Sequence, residues 1–250
     1  MSQQDNQFRP IGIRQKFCFS CGPHVSCFNE CCRDLNQFLT PYDVLRLARH
    51  LEMDPQDFLN TYTNRHTGPD TGLPVVTLRP AKDGQRCPFV TPEGCSVYEN
   101  RPSSCRMYPL ARMLRRSREN GRIEESYVLI QEDHCRGFEC QTVMTPEQWV
   151  ADQGLERYNE LNDAMIEVIS VKQQYLPGPL KSQTAEKLFY CLYDADAFKR
   201  DLSGQIGDEC RKFGLCPDKA KRGDDEAVVR LAVKYAAGFL KNESAAAVND

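Results

Sequence analysis

Thiols are the side chains whose type and spacing could do chemistry in this chain. Ten of the 13 cysteines fall before Gln141, and five crowd into Cys18-Phe-Ser-Cys21-Gly-Pro-His-Val-Ser-Cys27-Phe-Asn-Glu-Cys31-Cys32. A second group follows at Cys87, Cys95 and Cys105, and a third at Cys135 and Cys140. Deprotonated sulfur is a soft anionic ligand, so this density offers a metal site, a disulfide framework or a redox relay. The short spacings Cys18-x2-Cys21 and Cys27-x3-Cys31 bring two sulfurs to one ion or cluster at small loop-closure cost. The longer Cys87-x7-Cys95 and Cys95-x9-Cys105 suggest loops folding over the same centre.

Disulfides are disfavoured on three grounds. The polar N-terminus lacks the charged and apolar regions of a secretory signal, and no run reaches the eighteen or so apolar residues of a membrane span. The expectation is therefore a cytoplasmic protein off the membrane, in a compartment that keeps thiols reduced. The odd cysteine total would leave one thiol over. Adjacent Cys31 and Cys32 have Cα atoms about 3.8 Å apart, short of the roughly 4.4–6.8 Å that a disulfide prefers. Net charge is −3 with 27% charged residues, and nothing in that balance suggests nucleic acid. A protein partner or substrate is the remaining kind of partner, with oligomeric state open.

The elements that must position these thiols can be read from caps and periodicity. Residues 1–16 read as a loose arm, and the first cysteine group as turns. Thr40-Pro41-Tyr42-Asp43 opens an amphipathic helix to about His50, and Asp54-Pro55 opens a second. Residues 63–74 read as a loop, 73–78 as a strand, and Lys82-Asp83-Gly84-Gln85 as a turn that delivers Cys87. Residues 109–114 and 126–131 read as strands of a hairpin around Glu119-Asn120-Gly121, returning the chain from Cys105 to Cys135. From Thr145 onward the pattern is helical, at 156–174, 182–202 and 224–241, with a frayed tail over 242–250. The fold class is α+β: a cysteine-rich domain with a short hairpin over residues 1–144, and a helical region over 145–250.

Arg101, Arg106, Arg112, Arg115, Arg116 and Arg118 make a basic stretch, read as a solvated hairpin tip or as an acidic-partner surface. Arg101 and Arg106 lie close in sequence to Cys105. Asp34, Tyr42 and Asp43 read as capping residues, Tyr98 and Tyr108 as packing around a centre, and Cys191 as a buried apolar residue. Cys210 and Cys216 are isolated.

Zinc and iron–sulfur clusters both accept four cysteines. Structural zinc sites commonly repeat CxxC knuckles, and only one such pair is present here, so the irregular spacing favours [4Fe-4S]. His24 and His134 keep a mixed Cys/His zinc site open. A radical S-adenosylmethionine motif, CxxxCxxC, is not met, because Asp34 stands where its third cysteine would be. Adjacent Cys31 and Cys32 are expected to serve different metals, different irons of one cluster, or packing. The candidate ligands are Cys21, Cys27, Cys31, Cys32, Cys87, Cys95, Cys105 and Cys135.

Cys27-x3-Cys31-Cys32, with Cys87-Pro-Phe-Val, Gly94-Cys95-Ser-Val-Tyr98 and Arg101-Pro102-Ser-Ser-Cys105-Arg106-Met-Tyr108-Pro109, resembles a family of zinc- or iron-chelating cysteine-cluster proteins over roughly residues 17–140. That family, written CxxCxxxCC, is similar to the flagellin lysine N-methylases. Aligned on Cys27, Cys31 and Cys32, its first cysteine falls on His24. The resemblance implies a metal centre, commonly iron–sulfur, and only distantly a reaction. Three function classes follow: a metal-binding protein with a structural or redox [4Fe-4S] cluster, a protein lysine N-methylase-like enzyme, and a zinc-stabilised interaction module.

Overall fold

A computed structural model describes residues 7–33, 36–82, 84–117 and 119–247. Residues 1–6 and 248–250, Asp34, Asp83, Arg118 and the Arg116 side chain, all included in the expectations above, lie outside the described residues. Helices and short antiparallel strands give an α+β chain. It divides into two units that interleave in sequence, residues 1–35 with 80–156 and residues 36–79 with 157–250. The segment between the first and second cysteine groups thus belongs with the C-terminal helices.

In the cysteine-rich unit, β1 (Phe8–Ile11), β9 (Ile123–Ile130) and β8 (Leu110–Arg116) form an antiparallel sheet in the order β1-β9-β8. The expected hairpin is present, with Leu110 opposite Leu129 and Arg112 opposite Tyr127. Leu110, Tyr127 and Leu129 turn inward, while Arg112 pairs with Glu125 and Arg115 with Glu124. Part of the stretch expected as a loose arm is the third strand: β9 offers an open edge, and Ile11 gains burial by joining it. Gly121, at φ 70°, makes the turn in the left-handed region that glycine enters freely.

Strands β2 (Phe17–Cys18) and β10 (Val143–Met144) pair, so the two ends of the cysteine region meet. Helix α4 (Pro146–Asp152) follows, started by a capping box between Thr145 and Gln148. Its Trp149 packs edge-on against Phe17 and Phe19, and Phe19 in turn against Tyr108 and Phe138, with ring centroids 5.2 to 6.3 Å apart. The Trp149 indole N–H donates to the carbonyls of Arg106 and Met107. This aromatic cluster is the core beside the thiols.

In the second unit, α1 (Pro41–His50) and α2 (Pro55–Tyr62) start as their caps foretell. Thr40 Oγ1 accepts from the Asp43 amide and Asp43 Oδ2 from the Thr40 amide, while Asp54 accepts from Gln56. Strands β3 (Phe38–Leu39), β5 (Pro74–Leu78) and β4 (Thr63–Thr67) form a sheet in that order. Residues 63–67, expected as loop, are an edge strand whose polar side chains mostly face solvent, so no apolar alternation marks it.

The helix expected over 156–174 is two, α5 (Leu155–Asp163) and α6 (Met165–Tyr175), parted at Ala164. That over 182–202 is also two, α7 (Ser182–Tyr193) and α8 (Ala195–Asp201), because Asp194 leaves the helix to cap the Ala197 amide. Short helices α9 (Gln205–Lys212) and α10 (Asp218–Lys221) precede α11 (Asp225–Ala247), which runs past the expected end at 241 into the stretch read as frayed. Among the described residues, no helix is long and apolar enough to cross a membrane.

Candidate metal centre

The thiols are delivered by turns that hydrogen-bond to one another across long sequence gaps. The first group leaves β2 at Cys18 and ends in a 3-10 turn over Glu30–Cys32. Asn29 enters that turn at φ 70°, a left-handed conformation that asparagine tolerates better than most residues. Its side-chain amide donates to the Thr91 carbonyl at 3.0 Å. The Cys87 amide donates to the Cys32 carbonyl at 2.7 Å. Strands β6 (Val90–Thr91) and β7 (Gly94–Cys95) form a two-residue hairpin with Val90 opposite Cys95. The Ser20 amide meets the Gly137 carbonyl at 2.9 Å, which carries Cys21 to the loop holding Cys135.

Backbone amides also point at sulfur. The Arg136 amide donates to Cys27 Sγ at 3.1 Å. Amides of Phe89 and Val90 face the Cys87 sulfur, that of Val97 faces Cys95, and that of Gly137 faces Cys135. An N–H aimed at sulfur favours thiolate over thiol, and it is the support a thiolate metal ligand needs.

Burial opposes those donors. It is the main cause that pushes Cys87 up to about 11, with Cys95 and Cys31 adding to it. Burial likewise pushes Cys21 up to about 11, and the neighbouring thiolates of Cys31, Cys27 and Cys135 push it further. Cys95 and Cys135 are raised mainly by burial too. Cys31 and Cys32 share a proton across 3.9 Å: hydrogen bonding from Cys32 lowers Cys31 to about 7, and Cys32 is raised. Half-buried thiols that repel one another as anions, yet are solvated by amides, suit a cation that replaces their protons. The donor set therefore fits zinc or iron by its chemistry.

Two arginines frame the second group. Arg106 sends its guanidinium to the carbonyls of Arg101, Gln153 and Glu99, which ties the turn before Cys105 to the end of α4. Arg101 stacks over Tyr98 at 3.8 Å and bonds the Tyr98 carbonyl and Gln153, within electrostatic range of Cys95, Cys105 and Cys21. Neither reads as a solvated hairpin tip; among the described side chains of that stretch, the description suits Arg115, paired at the surface with Glu124.

Of the expected ligands, Cys21, Cys27, Cys31 and Cys135 are electrostatic neighbours, and so are Cys31, Cys32, Cys87 and Cys95, with Cys105 beside Cys32. Cys18 lies in β2 opposite Val143, and Cys140 Sγ bonds the Thr142 carbonyl. His24 bonds Ser20, and His134 lies 3.8 Å from Glu132. Among the described residues, no three Cys, His, Asp or Glu side chains close on one ion-sized point. The Tyr108 hydroxyl, buried and facing Cys135, is a neighbour that sequence marks only as packing.

Residues 20–136 match the family model CxxCxxCC, described as a putative zinc- or iron-chelating domain. The matched segment, just under half of the chain, is similar to that family of zinc- or iron-chelating domains. The match begins after Cys18 and ends before Cys140, and all eight candidate ligands lie inside it. The family's name corrects the spacing CxxCxxxCC. Counted back from Cys31-Cys32, CxxCxxCC needs cysteines at 28 and 25, where this chain has Phe28 and Val25. Cys27 stands one residue further from the pair. Comparison with curated proteins and with solved structures finds no match.

Proposed function

We propose that the matched segment holds iron–sulfur of the [4Fe-4S] type, and that the metal's first role is to cross-link the cysteine-rich unit. The observation that carries this reading is how the thiols are gathered. Sulfurs from three distant segments are electrostatic neighbours with amides aimed at them, yet as placed no three close on one ion-sized point. Four thiolates on one zinc, with bonds of about 2.3 Å, would stand about 3.8 Å from one another. A cubane takes one thiolate per iron and holds its ligands farther apart.

The cross-linking role follows from the unit's architecture. Strands β2, β6, β7 and β10 have two residues each, too few to hold these loops by backbone pairing alone. The bound group would supply that restraint together with single-electron chemistry.

Purification under anaerobic conditions, followed by absorption spectroscopy and metal and sulfide analysis, tests the proposal. Broad visible absorption with iron and acid-labile sulfide in equal amounts is expected. A colourless protein carrying stoichiometric zinc overturns the iron–sulfur assignment, and one that takes up neither metal after reconstitution overturns the metal-binding reading itself.

A further inference from the structure

The thiols fall into two sets tied to different parts of the fold. On one side, the loop that carries Cys135 bonds the strand leading to Cys21 through Ser20 and Gly137, and bonds Cys27 Sγ through the Arg136 amide. On the other, the hairpin region that carries Cys87 and Cys95 bonds the Cys32 carbonyl through the Cys87 amide. The same stretch of chain therefore sends Cys27 to one partner and Cys32, five residues on, to another. Electrostatic neighbourhood parts Cys21, which has Cys31, Cys27 and Cys135 around it, from Cys32, which has Cys87 and Cys105 around it beyond Cys31, while Cys31 also neighbours Cys87 and Cys95 and so sits between the two sets.

The adjacent pair marks the boundary. At 3.9 Å, the sulfurs of Cys31 and Cys32 are too close to ligate two corners of one cubane. They can serve two cubanes that lie on either side of their shared peptide.

We propose that the domain carries two metal centres, the first held by Cys21, Cys27, Cys31 and Cys135 and the second by Cys32, Cys87, Cys95 and Cys105. This rests on the metal-binding reading above and adds to it the number of centres and the division of ligands. The Cys31–Cys32 peptide links the centres, so they lie close enough for their electron spins to interact.

The test uses the full chain purified anaerobically. About eight irons and eight sulfides per chain are expected, twice the count for one cubane. Cys27→Ser and Cys87→Ser should each lose about half the iron and keep the rest. Reduction of the wild-type protein should give an electron paramagnetic resonance spectrum of two interacting spins per chain, a readout that needs no variant to fold. Four irons per chain with a single isolated spin overturns the two-centre proposal and leaves the iron–sulfur reading standing. Loss of all iron from either folded variant does the same. Two zinc ions per chain would support two centres while overturning iron–sulfur, and one zinc ion would overturn both.

Discussion

Gly137→Ala should loosen the cysteine-rich unit and release its metal, although no thiol is touched. A Cβ at Gly137 would lie 2.5 Å from Phe19 Cε2 and 2.8 Å from the Ser20 carbonyl oxygen. The first neighbour belongs to the aromatic cluster and the second to backbone, so neither can swing away as the end of a flexible side chain would. Relief requires a shift of the 135–137 loop from Phe19-Ser20, which strains the Ser20 amide bond to Gly137 and moves the Gly137 amide off Cys135. Overpacking of this kind costs about 1–3 kcal/mol, and one backbone hydrogen bond adds about 1 kcal/mol. The sum, roughly 2–4 kcal/mol, corresponds to a drop of roughly 4–16 °C in melting temperature for a chain of this size. The assay is thermal unfolding of anaerobically purified protein, with metal content measured before heating. Gly178→Ala is the control, because nothing lies within 4 Å of the added methyl. If Gly137→Ala melts within about 1 °C of wild type and keeps its metal, the 135–137 loop does not position the centre as described.

Three further outcomes are expected. Arg106→Lys keeps the charge but can satisfy only part of the fork to Glu99, Arg101 and Gln153, so two lost bonds at about 1.5 kcal/mol each should cost about 3 kcal/mol in denaturant unfolding. In the second unit, burial works to raise the Glu209 carboxyl, but Lys187, Tyr235 and Gln205 together hold it below its usual range. A depressed folded-state value stabilises above the unfolded value of about 4.3 and loses that contribution as pH falls, so the melting-temperature gap between wild type and Glu209→Gln should be full at pH 7 and shrink toward pH 4. Removing the metal with a chelator should make residues 80–156 markedly more sensitive to limited proteolysis while the 225–247 helix keeps its protection, read by mass spectrometry of the fragments.

Local signals are what the sequence carries well. Thr40-Pro41, Asp54-Pro55 and Thr145-Pro146 each place a side-chain acceptor beside a residue pre-set for the first helical turn, and each helix begins there. The hairpin around Gly121 is equally local. Residues 8–11 and 63–67 escape notice because each becomes a strand only by meeting β9 or β5, and neither shows clean apolar alternation. The break at Asp194 is hidden by continuous helical periodicity on either side, although the residue is a good cap. The grouping of residues 36–79 with the C-terminal helices is a matter of long-range packing, to which periodicity is blind.

For the centre, residue type is legible and pairing is not. Spacing alone makes Cys18-x2-Cys21 the most economical pair in the chain, because three residues close a loop at least cost. The structure gives them different surroundings: Cys18 pairs with Val143 in a sheet, whereas Cys21 has Cys27, Cys31 and Cys135 as neighbours, and the family match begins after Cys18. Entropy of closure is a small, slowly varying term, and here the hydrogen bonds that fix the turns outweigh it. The donors that ready these sulfurs for metal are main-chain amides of Phe89, Val97, Arg136 and Gly137, whose usefulness depends on backbone direction and not on side-chain identity. Three of these amides belong to the residue two positions after the cysteine they face, while that of Arg136 reaches Cys27 from a distant segment, so a glycine such as Gly137 can matter as much to these sulfurs as the cysteine it follows.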